Sequence, residues 1–205
     1  MLLEDPHSPA RAAPAAILAA PPSTATRLAG GAAYWRGQAQ DELTVRLLLV
    51  PRGRIQVDIW WNRRGGAADV ELVCGLYGDS VEMGALSGNG FDAPRFHRAG
   101  FGTLAVNIAI QALQAACPAT LLVHGVLSNT AEEQLPPGRQ QELADSRRAF
   151  WRRFGLDVIA RGSPPLDYLR GRIGALRPVG HGLLAGQFAR NVPLAEFSRT
   201  RPEGF

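Results

Sequence analysis

Apolar and polar residues alternate in short runs over the first half of the chain, which is the pattern of half-buried β-strands. The runs span residues 43–50, 55–61, 68–77 and 80–86, and turn residues such as Gly53 separate them. Four strands joined by short turns predict an antiparallel meander.

The period of the pattern changes after residue 100. The stretch TLAVNIAIQALQAA (103–116) contains neither Gly nor Pro and predicts a buried helix. Residues 119–127 predict a buried strand, 141–154 an amphipathic helix, and 156–161 a further strand. The helix 103–116 connects strands 80–86 and 119–127, so we expect these two strands to be adjacent and parallel. The expected fold class is α/β in the mixed α+β sense, with a mixed, largely antiparallel twisted sheet flanked by helices.

The remaining segments lack this periodicity. Residues 1–31 are rich in Ala and Pro, which predicts a flexible N-terminal tail before one domain at 32–205. The segment EEQLPPGRQQ (132–141) predicts a polar loop, and the chain after residue 161 predicts no definite element.

Composition narrows the function classes. A chain of 205 residues that is 46% hydrophobic is long enough and apolar enough for one buried core. No run approaches the roughly 18 apolar residues of a membrane-spanning helix, so we expect no membrane association. All 22 basic residues are arginine, which excludes lysine-based catalysis and which a GC-rich genome explains. Two cysteines and four scattered histidines predict no metal site, and we expect the cysteines to be reduced, buried thiols of a cytoplasmic protein.

One glycine-rich segment points to chemistry. Gly100 and Gly102 follow His97 and Arg98 and directly precede the buried helix. The first N–H groups of a helix lack intrahelical partners and, with the helix dipole, favour an anion such as a pyrophosphate. A tight glycine turn without a ligand is the alternative.

The stretch RAGFGTLAVNIAIQAL resembles the acyl-CoA-binding signature of the GNAT superfamily of N-acetyltransferases. The strand LLVHGVLSN and the segment FWRRFGLDV resemble the motifs that follow in that family, in the same order, over about residues 70–160. The resemblance implies transfer of an acyl group, usually acetyl, from acetyl-CoA to an amine of a small molecule or a protein. It implies these contacts with CoA: His97, Arg98, Ala99, Gly100, Phe101, Gly102, Thr103 and Asn129. His97 departs from the family pattern, which has Gln or Arg there.

The family resemblance does not decide which groups accept and donate protons in the reaction. Glu82 on strand 80–86 is the best candidate for the base, and a solvated strand carboxylate is an equal alternative. Trp151 occupies the position of the tyrosine that often acts as the general acid in the family, and an indole is a poor acid. Tyr168 is the only tyrosine downstream and is the candidate substitute, with water as the alternative. His124 lies in an apolar strand and is expected to be a core histidine.

The sequence also leads to expectations about the arginines of the second helix, the two adjacent tryptophans and the alternative functions. The side chains of Arg147, Arg148, Arg152 and Arg153 are expected to form a solvated helix face, with binding to a phosphate or an acidic partner as the alternative. Trp60 and Trp61 are expected to point to opposite faces of a strand. The alternatives to an enzyme are a degenerate GNAT-fold binding protein, including a secreted effector, and, with only net charge in its favour, a basic nucleic-acid-binding module.

Overall fold

The computed structural model describes residues 30–38, 42–51, 53–62, 66–88, 99–127, 134–161, 166–180 and 191–203. In these residues one eight-stranded sheet carries two α-helices. The strands are β1 (Gly31–Gln38), β2 (Glu42–Val50), β3 (Arg54–Trp61), β4 (Val70–Leu76), β5 (Ser80–Ser87), β6 (Leu122–Leu127), β7 (Asp157–Arg161) and β8 (Leu166–Arg172). The helices are α1 (Phe101–Ala116) and α2 (Pro137–Arg152).

The sheet order is β1-β2-β3-β4-β5-β6-β8-β7. Strands β5 and β6 are parallel, and every other neighbouring pair is antiparallel. The predicted meander over β2–β5 is confirmed, as is the parallel pair on either side of α1. The predicted fold class is therefore confirmed in its general form: the fold is mixed α/β with a large, mostly antiparallel open sheet.

Several predicted boundaries are wrong. Gly31 belongs to β1, which the sequence prediction missed, while residues 1–29 lie outside the described residues. The predicted polar loop at 132–141 contains the start of α2, because Pro137 is a first-turn proline and proline is favoured at that position. Strand β8 was also missed. Its sequence LDYLRGR carries three charged residues and shows no clear apolar alternation.

Alternation along the strands divides the sheet into two faces. We call the face that contacts the helices the helix face; Val81, Met83, Val123 and Leu169 are buried on it. We call the other the open face, on which the described residues place no helix; Glu82, His124, Tyr168 and Arg170 lie on it.

The two adjacent tryptophans confirm the predicted alternation. Trp61 lies on the helix face, where its ring is 5.2 Å from that of Phe101. Trp60 is buried on the open face and its indole N–H donates to the Gly66 carbonyl at 3.3 Å. The guanidinium of Arg46 lies 5.4 Å from the Trp60 ring centre.

Helix α1 is buried on nearly every side over its first three turns. One side packs on β3 and β4, and a C-terminal strap, residues 173–180 and 191–203, covers the other side. Three amide side chains on one stripe of the helix, at i, i+4 and i+7, bind backbone carbonyls of this strap. These are Asn107 to Val179 O at 2.8 Å, Gln111 to Val192 O at 3.1 Å, and Gln114 to Leu176 O at 2.8 Å.

The same strap reaches the free edge of the sheet. Tyr34 in β1 and Ser198 exchange two backbone hydrogen bonds, of 2.7 and 2.8 Å, and the indole of Trp35 donates to Glu196 at 3.1 Å. This contact covers part of an edge strand that would otherwise expose unpaired backbone groups.

Gly155 ends the α2 segment in a left-handed conformation, with φ of +86°. A Cβ atom built on it would lie 2.4 Å from the Ala175 carbonyl oxygen. The turn therefore needs glycine both for its backbone angle and for the close approach of the strap.

We expect Gly155→Ala to lower the free energy of unfolding by about 2 kcal/mol or more, from the strained φ and the backbone clash. For a chain of this size the midpoint of thermal unfolding should fall by about 4–8 °C. Gly138→Ala is the matched control. Gly138 is exposed in the first turn of α2 with open space around it, and the change should stabilise by up to about 1 kcal/mol. Equal thermal midpoints for the two variants would contradict this account.

Candidate functional site

The parallel pair β5/β6 stops pairing partway along the strands. Its last register pair joins Glu82 to His124, although β5 continues to Ser87 and β6 to Leu127. The facing backbone edges beyond that pair are not used in pairing between these two strands. An extended ligand with amide groups of its own could hydrogen-bond there.

A β-bulge lies at the same place. Leu72 pairs with Leu86 and Cys74 pairs with Met83, so β5 carries one extra residue opposite β4. The extra residue falls at Gly84 or Ala85, two or three residues after the last β5/β6 pair at Glu82. Bulges redirect the chain and concentrate beside functional sites.

The N-terminus of α1 lies at the end of the sheet to which β5 and β6 run. Phe101 contacts Trp61 at the carboxyl end of β3, and β3 runs parallel to β5 because β4 separates them in antiparallel pairing. The helix N-cap is Gly100 with φ of 93°, without a side-chain hydrogen bond to cap the helix and without an acidic residue in the first turn. This helix end has the charge and the backbone approach that an anion requires.

Of the residues predicted to bind CoA, five are described at this helix start. Ala99 and Gly100 are half-buried, and Phe101, Gly102 and Thr103 are buried. His97, Arg98 and Asn129 lie outside the described residues.

Glu82 is half-buried on the open face and accepts a hydrogen bond from the Tyr77 hydroxyl at 3.1 Å. The Tyr77 ring reaches it by lying across Gly75, where a Cβ atom would be 3.1 Å from the ring. The hydrogen bond to Glu82, and then its negative charge, raise the pKa of Tyr77 above the usual value. The carboxylate is therefore held in place by a phenol that stays protonated at neutral pH.

His124 is exposed, and the prediction of a core histidine is wrong. The strand alternates in burial and not in polarity: Val123, Gly125 and Leu127 are buried on the helix face, and His124 lies on the open face between the exposed Leu122 and Val126. Its register partners are Glu82 in β5 and Arg170 in β8.

Tyr168 lies on the same face but not beside Glu82. It pairs with Val126 in β6 and with Ile159 in β7, so one strand and two residue positions separate it from Glu82. The structure thus brings Tyr77 and His124 next to Glu82, and it places Tyr168 at the rim of this cluster.

Three exposed apolar side chains, those of Tyr77, Leu122 and Val126, lie next to the cluster. In the described ranges, five large apolar side chains are exposed; the strand registers place four of them on the open face, and the hydrogen bond to Glu82 places Tyr77 there. They are Val50, Tyr77, Leu122, Val126 and Leu166. Val50 on β2 and Leu166 at the start of β8 lie farther away, and the three side chains beside the cluster form an exposed apolar surface of the kind that is typical of a binding site.

On the part of the open face formed by β2, β3 and β4, the polar side chains bind one another. Asp58 is 1% exposed and binds the Arg46 guanidinium at 2.6 Å, while Gln56 donates to Asp58 at 2.9 Å and to Glu71 at 3.1 Å. These carboxylates are already satisfied, so they are poor candidates for acid–base chemistry.

Trp151 and the nearby arginines have structural roles. Trp151 is 4% exposed and packs against Phe150 with ring centres 5.2 Å apart. Arg148 binds the buried carboxylate of Asp167 at 2.8 Å, so it is not part of the solvated face that the sequence predicted. The guanidinium of Arg153 lies over the Phe150 ring at 5.3 Å.

Metal and thiol chemistry find no support in the described part of the chain. Its His, Cys, Asp and Glu residues form no group of three suited to a metal ion. Cys74 and Cys117 are both free thiols, as predicted; Cys74 is buried and Cys117 half-buried. Burial, with a smaller contribution from Cys117, raises the pKa of Cys74 to about 12, which makes this thiol unreactive. No helix among the described residues is long and apolar enough to cross a membrane.

Sequence reasoning missed Tyr77 and His124 as members of the cluster. The sequence LVHGVL gave little signal for His124, because its face of the strand also carries the apolar Leu122 and Val126. The Tyr77 contact had no comparable signal, because it depends on how the residue after β4 folds back over Gly75.

Comparison of the chain with protein-family models, with curated proteins and with solved structures yields no match.

Proposed function

We propose that this protein is an acyl-CoA-dependent N-acyltransferase of GNAT-like fold, which transfers an acetyl group from acetyl-CoA to an amine. The observation that carries the proposal is the parallel β5/β6 pair, which stops pairing after Glu82 and His124, close to a bulge in β5. The strand order and the helix between these two strands agree with the same fold.

The residues at the start of α1 fit a diphosphate. Gly100 lets the backbone come close, the first N–H groups point out of the helix end, and no carboxylate in the first turn opposes an anion. Residues 97–103 and Asn129 would hold CoA by the family resemblance. The unpaired edge of β5 beyond Glu82 would bind the amide groups of its pantetheine arm.

Glu82 is the proposed base, acting directly or through water. A carboxylate on the open face can take the proton that the amine loses as it becomes an amide. Tyr77 keeps this carboxylate in position. The exposed apolar residues around it, Leu122 and Val126 among them, provide the surface on which the acceptor amine would approach.

One observation favours a second candidate, a GNAT-fold binding protein without turnover. The position of the family's tyrosine acid is Trp151, which is buried in an aromatic cluster and offers no proton. Tight CoA binding without acetylation of any amine would favour this candidate.

Calorimetric titration with acetyl-CoA and with CoA tests the cofactor site. We expect Gly100→Asp to weaken binding of CoA at least about tenfold more than Gly100→Asn does, since both side chains tolerate a positive φ but only Asp places a negative charge beside the diphosphate. The Asn variant is thus the control for backbone strain. If Asp and Asn variants bind CoA equally, the diphosphate is held elsewhere.

Turnover of Glu82→Gln tests the base. We expect kcat to fall by about 10²-fold with little change in the affinity for acetyl-CoA, because Gln keeps the size and the hydrogen bond but cannot take the proton. Glu71→Gln removes a carboxylate from the same face, one strand away, and should leave kcat within about twofold of the parent. Equal rates for the two variants would show that Glu82 is not the base.

A further inference from the structure

We propose that His124 delivers the proton to the leaving thiolate and that Glu82 and His124 form one proton path across the β5/β6 pair. This inference rests on the proposed function and supplies the acid that Trp151 cannot provide. It assigns the role to a residue on the open face rather than to α2 or to Tyr168.

Position is the first argument. Glu82 and His124 are the last register pair before β5 and β6 stop pairing, and both side chains lie on the open face. Neighbouring strands lie about 4.8 Å apart, so Glu82 and His124 are adjacent residues on this face. A thioester carried along the unpaired edge of β5 would meet these two side chains where pairing ends.

The surroundings of His124 are the second argument. The imidazole is exposed, so a substrate can reach it. The charged or titratable groups that face it are Glu82 from β5 and Arg170 from β8, with Tyr168 diagonal to it and Tyr77 bound to Glu82. His124 thus lies between an acidic residue on one neighbouring strand and a basic residue on the other.

The step balances without any other reactant. The amine nitrogen attacks the thioester carbonyl carbon, and the C–N bond forms while its proton passes to the Glu82 carboxylate. The C–S bond breaks, and the sulfur leaves with the electron pair and takes a proton from the His124 imidazolium. The proton on Glu82 then moves to His124, which restores the carboxylate and the imidazolium.

Chemical rescue separates this role from a structural one. We expect His124→Ala to lower kcat by about 10–10²-fold while acetyl-CoA affinity by calorimetry and the thermal midpoint stay close to the parent. Added imidazole should restore a concentration-dependent part of the rate. Release of free CoA thiol is measured with phenethylamine, spermidine and a lysine-containing peptide as acceptors.

Two controls come from the same face. Leu122→Ala removes an exposed side chain two residues earlier in β6, and its rate should not respond to imidazole. Tyr168→Phe removes the phenol that is the alternative candidate for the general acid, and its kcat should stay within about twofold of the parent value. The double variant Glu82→Gln/His124→Ala should be little slower than the slower single variant, because residues on one path are not additive.

The outcomes distinguish the two levels of proposal. If the parent acetylates an amine but His124→Ala stays within about twofold, or imidazole rescues nothing, the proton path is wrong while the acyltransferase stands. A parent that binds acetyl-CoA without turnover overturns the proton path and supports the binding protein. A parent that neither binds nor turns over acetyl-CoA overturns the proposed function itself.

Discussion

Burial of helix α1 is the interaction on which the other features depend. Its apolar residues pack on β3 and β4, and its stripe of Asn107, Gln111 and Gln114 binds the backbone of the C-terminal strap. Each amide satisfies strap carbonyls that would otherwise lose water in a buried position, where an unmet hydrogen bond costs about 1–3 kcal/mol. A helix apolar on most sides is thereby held between two layers by polar contacts along one stripe.

The placement of α1 also fixes the candidate site. A helix that joins two adjacent parallel strands starts at their carboxyl ends, so its N–H groups face the place where β5 and β6 stop pairing. The bulge in β5 and the end of pairing leave backbone groups for a ligand at the same point. A helix end suited to an anion and a free strand edge suited to an amide chain therefore lie at one end of the sheet.

The polar groups of the open face fall into two classes, one buried and paired and the other accessible. Near β2 and β3 the carboxylate of Asp58 is paired with Arg46 and is almost fully buried. The pair stabilises the sheet, and the carboxylate is not accessible to a substrate. Near β5 and β6, Glu82 and His124 are accessible and lie next to apolar side chains that remain exposed. The proposed acceptor surface is defined by this contrast, since only the second group can meet a substrate.

The sequence alone determined the order of elements that have a clear period: the meander, the buried helix, and the parallel strands that its length requires. Such patterns arise from local burial and need no knowledge of distant residues. Strand β1 and strand β8 were not predictable in this way, because β1 gains its place by pairing with β2 and the strap, and β8 by inserting between β6 and β7. Glu82, Gly100 before α1 and Gly102 in its first turn were found as candidates from residue type and position. The neighbours of Glu82 were decided by tertiary structure, because the contact from Tyr77 and the opposition of His124 depend on strand register and on a ring folded over Gly75, which join residues that have no periodic relation in the chain.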